Sequence, residues 1–151
     1  MKDSKKLAFT DCILAQPTTE SEWAQYHRIR HTQTGDPLDS AYDPNHEVFR
    51  DKEHFHFVFY KGHEIIGILH VQFFNEKVCA IISMAIDAPY QNQGYGTHLL
   101  QLIEKWIHDQ GRMGIQVHSD SKAVNFYKKS DYVVNFRLLP ANECMLSKWL
   151  S

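Results

Sequence analysis

The sequence is short of cysteine, of long apolar runs and of any charge imbalance. Its three cysteines, Cys12, Cys79 and Cys144, are odd in number and far apart, so they form neither a disulfide framework nor a zinc knuckle and read as buried apolar thiols. No apolar run is long enough to span a bilayer. The polar stretch from Met1 to Lys6 lacks the hydrophobic centre of an export signal. A cytoplasmic location with no membrane partner is the expectation. Lys and Arg number 16 against 18 Asp and Glu, a net charge of −2, which argues against nucleic-acid binding because that needs clustered cations. Internal repeats, low-complexity tracts and interdomain linkers are also missing.

What is present is a core. Hydrophobic residues make up 43% and aromatics 13% of 151 residues, enough for one globular domain spanning residues 1–151. The 10 histidines raise the question of a metal. His27 and His31 lie four apart on an expected helix and His54 and His56 share an expected strand face, but neither pair has a clear third ligand and no His-Glu-x-x-His occurs. No metal is expected.

Local patterns predict a mixed α/β order. Phe9 to Ala15 reads as a short strand before Pro17, and Thr19 to Glu22 has the form of a capping box opening a helix through about Arg30. From His31 to Asp51 the composition of Thr, Gly, Asp, Pro and Asn predicts a long loop with a short helical turn. His54 to Tyr60 alternates, with Phe55, Phe57 and Phe59 on one side and His54, His56 and Val58 on the other. Turns at Lys61-Gly62-His63 and Asn75-Glu76-Lys77 make this strand, Glu64 to Phe74 and Val78 to Ile86 an antiparallel meander. A strand at Met113 to His118, a short helix at Ala123 to Lys129, and strands at Asp131 to Arg137 and Glu143 to Trp149 follow.

The segment carrying most chemistry is the end of the third meander strand. Val78 to Ile86 has β-branched residues without strict alternation, which predicts a strand covered on both faces. Pro89 closes it near Asp87. After Gly94-Tyr95-Gly96, apolar residues at Leu99, Leu100, Ile103, Trp106 and Ile107 keep helical spacing up to Gly111. A helix start offers unpaired N–H groups and the positive end of a dipole, so an anion is stabilised there. The pattern Gln-x-x-Gly-x-Gly lacks the third glycine of the dinucleotide fingerprint and the Gly-Lys-Ser/Thr ending of the triphosphate loop. An ordinary tight turn before an amphipathic helix accounts for the glycines equally well. Lys122, Lys128 and Lys129 downstream either meet a phosphate or form a solvated helix face.

Two segments together carry a family resemblance. Met84-Ala85-Ile86 followed by Gln91-Asn92-Gln93-Gly94-Tyr95-Gly96, and Ala123-Val124-Asn125-Phe126-Tyr127-Lys128-Lys129, resemble the two signatures of the GNAT superfamily of N-acetyltransferases. The resemblance covers roughly Phe55 to Arg137. It implies an α/β (α+β) fold with a mixed, mostly antiparallel central sheet of about six to seven strands flanked by helices. It also implies transfer of an acetyl group from acetyl-CoA, as co-substrate and without a metal, to a primary amine by direct attack. The alternative is a non-catalytic module of the same fold that binds or senses acyl-CoA. The expected partners are acetyl-CoA and an amine-bearing acceptor, with homodimerisation open.

By the same resemblance, backbone groups of Met84, Ala85 and Ile86 would meet the pantetheine arm, and amides of Gln91, Asn92, Gln93, Gly94, Tyr95, Gly96 and Thr97 would cradle the pyrophosphate. Three positions depart from the family pattern: Asn92 and Asp131 stand where glycine is usual, and Asp120 where an asparagine usually faces the cofactor. A carboxylate at Asp120 repels an anionic cofactor unless it is solvated or paired with Lys122.

Direct transfer needs a neutral amine, and keeping an amine of pKa ~10.4 neutral at neutral pH costs roughly 4.6 kcal/mol without a base. The central strand offers Cys79, Ala80, Ile82 and Ser83, none of them a carboxylate or imidazole. Candidates elsewhere are Asp43, His46, Glu47, His54, His70 and His118, of which His118 is best placed if the neighbouring strands splay to admit substrate. A hydrogen-bonded structural histidine is the alternative there. Tyr127 matches the tyrosine that usually faces the departing sulfur. A phenol of pKa ~10 is a weaker acid than a thiol of pKa ~8.5, so proton donation would run uphill by about 2 kcal/mol and a hydrogen bond to the thiolate is the safer role. A core tyrosine on an amphipathic helix is the alternative.

Overall fold

The computed structural model describes residues 11–34, 42–138 and 143–151. The capping box forms as the spacing predicts: Thr19 Oγ1 accepts the Glu22 N–H at 3.1 Å, while Glu22 Oε1 accepts the Thr19 and Thr18 N–H groups at 3.2 and 2.9 Å. These bonds satisfy the first donors of α1 (Glu20–Thr34), which follows the short strand β1 (Cys12–Ala15). Phe9 and Thr10 of the expected first strand lie outside the described residues. Helix α1 runs a turn beyond the expected stop at Arg30. Thr32 Oγ1 bonds the Arg28 carbonyl at 2.8 Å and Thr34 Oγ1 the Arg30 carbonyl at 2.5 Å, so the hydroxyls turn back onto the helix instead of breaking it. The short turn expected further along is a single 3-10 turn at Glu47–Phe49.

The meander is β2 (His54–Lys61), β3 (Glu64–Phe73) and β4 (Val78–Ile86). Helix α2 (Tyr95–Asp109), β5 (Gly114–Asp120), α3 (Val124–Lys128), β6 (Val133–Leu138) and β7 (Glu143–Trp149) complete a seven-stranded sheet ordered β1-β2-β3-β4-β5-β7-β6. Only β4 and β5 run parallel. This is the fold class that the resemblance implies. Strand β6 begins two residues later than expected, because Asp131 sits in a left-handed turn with φ 72°.

The alternation in β2 sends its phenylalanines to one face and His56 and Val58 to the other. Phe57 and Phe59 join Leu69, Val71, Ile115 and Val117 against Leu99, Leu100, Ile103 and Ile107 of α2. On the opposite face Val58 and Ile68 pack under Tyr26 and Ile29 of α1. All three cysteines are free and buried. Among the described residues no helix is long and apolar enough to cross a membrane.

Strand β4 is not covered on both faces throughout. Cys79, Ala80 and Ile81 are buried, but Ile82 is 44% exposed and the rest of the strand only partly buried. A bulge causes the change: His70 pairs with Ser83 and Val71 with Ile81, which leaves Ile82 outside the ladder.

Candidate active site

The parallel pairing of β4 with β5 runs only from Val78 opposite Gly114 to Ile81 opposite Val117. Beyond that point β5 stays paired with β7 and β4 stays paired with β3, so the two strands part. The β4 edge from Ile82 to Ile86 therefore faces no neighbouring strand. Two openings occupy the gap. A groove of about 780 Å³ is lined by Met84, Ala85, Ile86, Gly96, Thr97 and Phe126, among others. A cavity of about 330 Å³ is lined by Ser83, His118, Ser119 and Tyr127, together with Gln33 and Thr34 from the last turn of α1. Met84, Asp120 and Ala123 line both, so groove and cavity meet at the splay.

The groove ends at the start of α2. Gly94 is the N-cap residue in a left-handed conformation, φ 89°, and makes no side-chain cap bond, so the first helical N–H groups lack the usual capping side chain. Gly96 is glycine for space: a Cβ there would stand 3.2 Å from the Phe126 ring. Asn92 also has a positive φ, 62°. The two positions where the family favours glycine, Asn92 and Asp131, are thus the two non-glycine residues with left-handed backbone among those described, and Asn and Asp tolerate that region better than other side chains. Of the predicted loop residues, Gln91, Asn92, Gly94, Gly96 and Thr97 line the groove. Two others point elsewhere. Gln93 Nε2 donates to the Pro89 carbonyl at 3.0 Å, and the Tyr95 ring is buried in the core beside Tyr90. Gln91 Nε2 donates to the Ile86 carbonyl at 2.8 Å and to Gln33 Oε1 at 2.8 Å, which ties the loop to both β4 and α1.

Asp120 lines the groove, but Oδ1 accepts the Ala123 N–H at 3.0 Å and so caps the entry to α3. Lys122 lines the groove beside it, whereas Lys128 and Lys129 are exposed. Tyr127 is 7% exposed, and burial, with the Asp120 charge adding to it, pushes its phenol up to about 12. His118 stands on the cavity side of β5, with Nε2 2.7 Å from Glu143 Oε2. Ser83 Oγ is buried and has no hydrogen-bond partner among the described residues.

The other candidate bases line neither the groove nor the cavity. Asp43 Oδ1 accepts the Asn45 N–H and His46 Nδ1 the Val48 N–H, while Glu47 opens the 3-10 turn. His70 belongs to a buried network whose proton positions follow from two facts, that arginine only donates and that a carbonyl only accepts. Arg30 Nη1 lies 2.9 Å from both Tyr26 Oη and His70 Nδ1, so one hydrogen goes to each. The Val48 carbonyl only accepts, so neutral His56 donates Nε2–H to it at 2.9 Å and His56 Nδ1 accepts from Tyr26 Oη at 2.7 Å. His70 Nε2 must donate to His54 Nδ1 at 2.7 Å. Both nitrogens of His70 are occupied. Burial holds the rings neutral, His56 at about 4 and His70 at about 2. Neither His70 nor His54 Nδ1 has a lone pair left to take a proton from an amine. Among the described residues no three His, Cys, Asp or Glu side chains are grouped to hold a metal ion.

The sequence model of the Acetyltransferase (GNAT) family matches residues 16–132 of the chain. The chain belongs to the GNAT acetyltransferase family. It is thus an acetyl-CoA-dependent acyltransferase. No curated protein matches the sequence. Solved structures share the GNAT fold at low identity. Ard1 from Thermoplasma volcanium is 14% identical over 94% of this chain and 99% of its own, with a TM-score of 0.75. A GNAT family acetyltransferase from Elizabethkingia anophelis with acetyl-CoA bound is 14% identical over 93% and 99%, with a TM-score of 0.71. An aminoglycoside 6'-N-acetyltransferase complexed with coenzyme A is 14% identical over 91% and 96%, with a TM-score of 0.75.

Reading the sequence did not single out Gln33, Thr34, Ser83, Glu143 or Arg30. Gln33 and Thr34 fall in a stretch whose composition reads as loop, and Ser83 carries no local signal. Glu143 lies 25 residues from its partner His118 and meets it only across β5 and β7. Arg30 reads as a polar helix residue, although the alternating His54 and His56 mark the face on which its network forms.

Proposed function

We propose that this GNAT protein transfers the acetyl group of acetyl-CoA to a primary amine by direct attack. The observation that carries this reading is the meeting of groove and cavity at Met84, Asp120 and Ala123, where β4 and β5 part. A thioester laid along the groove would present its carbonyl carbon to an amine entering from the cavity side. The free β4 edge supplies backbone groups for the pantetheine amides, and amides from Gln91 to Thr97 supply donors for the pyrophosphate. The amine nitrogen forms a bond to the carbonyl carbon, the carbon–sulfur bond breaks, and the coenzyme A thiolate leaves. His118 takes the amine proton, since it alone of the candidate bases both lines the cavity and keeps a ring nitrogen uncommitted among the described contacts. Tyr127 donates a hydrogen bond to the departing sulfur. With its phenol at about 12, giving up the proton to a thiolate of pKa ~8.5 would run uphill by about 5 kcal/mol.

Calorimetry with acetyl-CoA and a panel of amines followed by thiol release tests this. Binding together with amine-dependent release is expected. Binding without transfer to any amine would make the chain an acyl-CoA-holding module instead.

A further inference from the structure

We infer that Glu143 is a positioning residue that holds His118 as the proton acceptor of the transfer; this rests on the role proposed for His118 above. In the antiparallel β5–β7 ladder Asp120 stands opposite Glu143, and His118 stands opposite Met145. Two carboxylates directly opposite one another are destabilising. Each is turned to a different partner. Asp120 accepts the Ala123 N–H at 3.0 Å, and Glu143 reaches diagonally to His118 Nε2 at 2.7 Å.

The contact decides the tautomer. A carboxylate only accepts, so in the neutral ring the hydrogen sits on Nε2, facing Glu143, and Nδ1 keeps its lone pair. A histidine held this way enters the reaction with a basic nitrogen in place, and the carboxylate balances the charge the ring gains when Nδ1 takes a proton from the amine. The pair differs from the buried histidines in this respect. His54, His56 and His70 are bonded to Arg30, Tyr26 and one another, with no carboxylate among them. His118 has the carboxylate and the cavity.

Turnover is read as thiol release from acetyl-CoA with n-butylamine in large excess as the acceptor. Glu143→Gln is expected to lower kcat about tenfold or more with KM for acetyl-CoA unchanged. His118→Gln lowers kcat further, and the double variant is no slower than His118→Gln alone. Losses that multiply in the double variant, or full turnover in Glu143→Gln, overturn the pairing. Imidazole 15N spectra in mildly alkaline buffer give a second readout that needs no acceptor. His118 in the wild type should show a protonated Nε2 and a bare Nδ1, and Glu143→Ala should admit the other tautomer. A protonated Nδ1 in the wild type, or an unchanged spectrum in Glu143→Ala, overturns the inference even in an active enzyme. Protein that binds acetyl-CoA but acetylates no amine refutes the transferase reading separately, and the spectra then decide the pairing.

Discussion

Acidification is a direct probe of the locked network beneath α1. His56 is 6% exposed and His70 1% exposed, and burial lowers the first to about 4 and the second to about 2, from an ordinary 6.5. The unfolded chain therefore takes up two protons below about pH 6.5 that the folded chain refuses, so stability present above that pH is lost as pH falls toward the folded values. Between about pH 7 and about pH 5 each ring contributes a loss of roughly 2 kcal/mol, roughly 4 together, against a total of about 5–15 kcal/mol for a typical domain. His27 and His98, both lowered by burial, act in the same direction. Glu22 is held at about 2, chiefly by the Thr18 N–H and the Tyr60 hydroxyl, but its window opens only below the ordinary carboxylate value of 4.5 and stays separate. Urea unfolding followed by tryptophan fluorescence, with Trp23 packed against Tyr26 and stacked on His27, measures the loss. The midpoint should fall at unchanged slope. A loss below about 1 kcal/mol over this range, or proton NMR showing His56 and His70 titrating near their ordinary value, would refute the argument.

Three further outcomes test the rest of the site. Arg30→Met removes the donor to His70 Nδ1 and leaves a buried acceptor unpaired, which should cost about 1–3 kcal/mol in urea unfolding at neutral pH; an unchanged midpoint would show that the network does not hold α1 in place. Tyr127→Phe should lower kcat about a hundredfold while the acetyl-CoA Kd stays put, and unchanged turnover would remove the phenol from the reaction. Gly96→Val places methyl groups where a Cβ already stands 3.2 Å from the Phe126 ring, so calorimetry should show acetyl-CoA affinity falling about tenfold; wild-type affinity would mean that the close approach of α2 and α3 does not shape the groove.

Much of the groove was legible in the residues because it is built from local rules. Pro89 ends β4, Gly94 takes a left-handed cap, and the spacing from Leu99 to Ile107 makes α2, all within one stretch of chain. Even the departures at Asn92 and Asp131 had a local meaning, since both replace glycine at a positive φ with a residue that bears it. The cavity was less legible. His70 and His118 look equivalent as histidines on strands, yet one has both nitrogens bonded and the other faces a cavity with a carboxylate behind it. That difference is set by Arg30 and Glu143, which are 40 and 25 residues away from them.

By itself the sequence determined the order of elements, the faces of β2 and the helix start that suits a phosphate, because strand alternation, helical spacing and turn residues act over a few neighbouring positions. Only the tertiary structure decided where β4 leaves β5 and which histidine lines the cavity beside a carboxylate. Both depend on the register between strands and on hydrogen bonds between distant side chains, which no local pattern encodes.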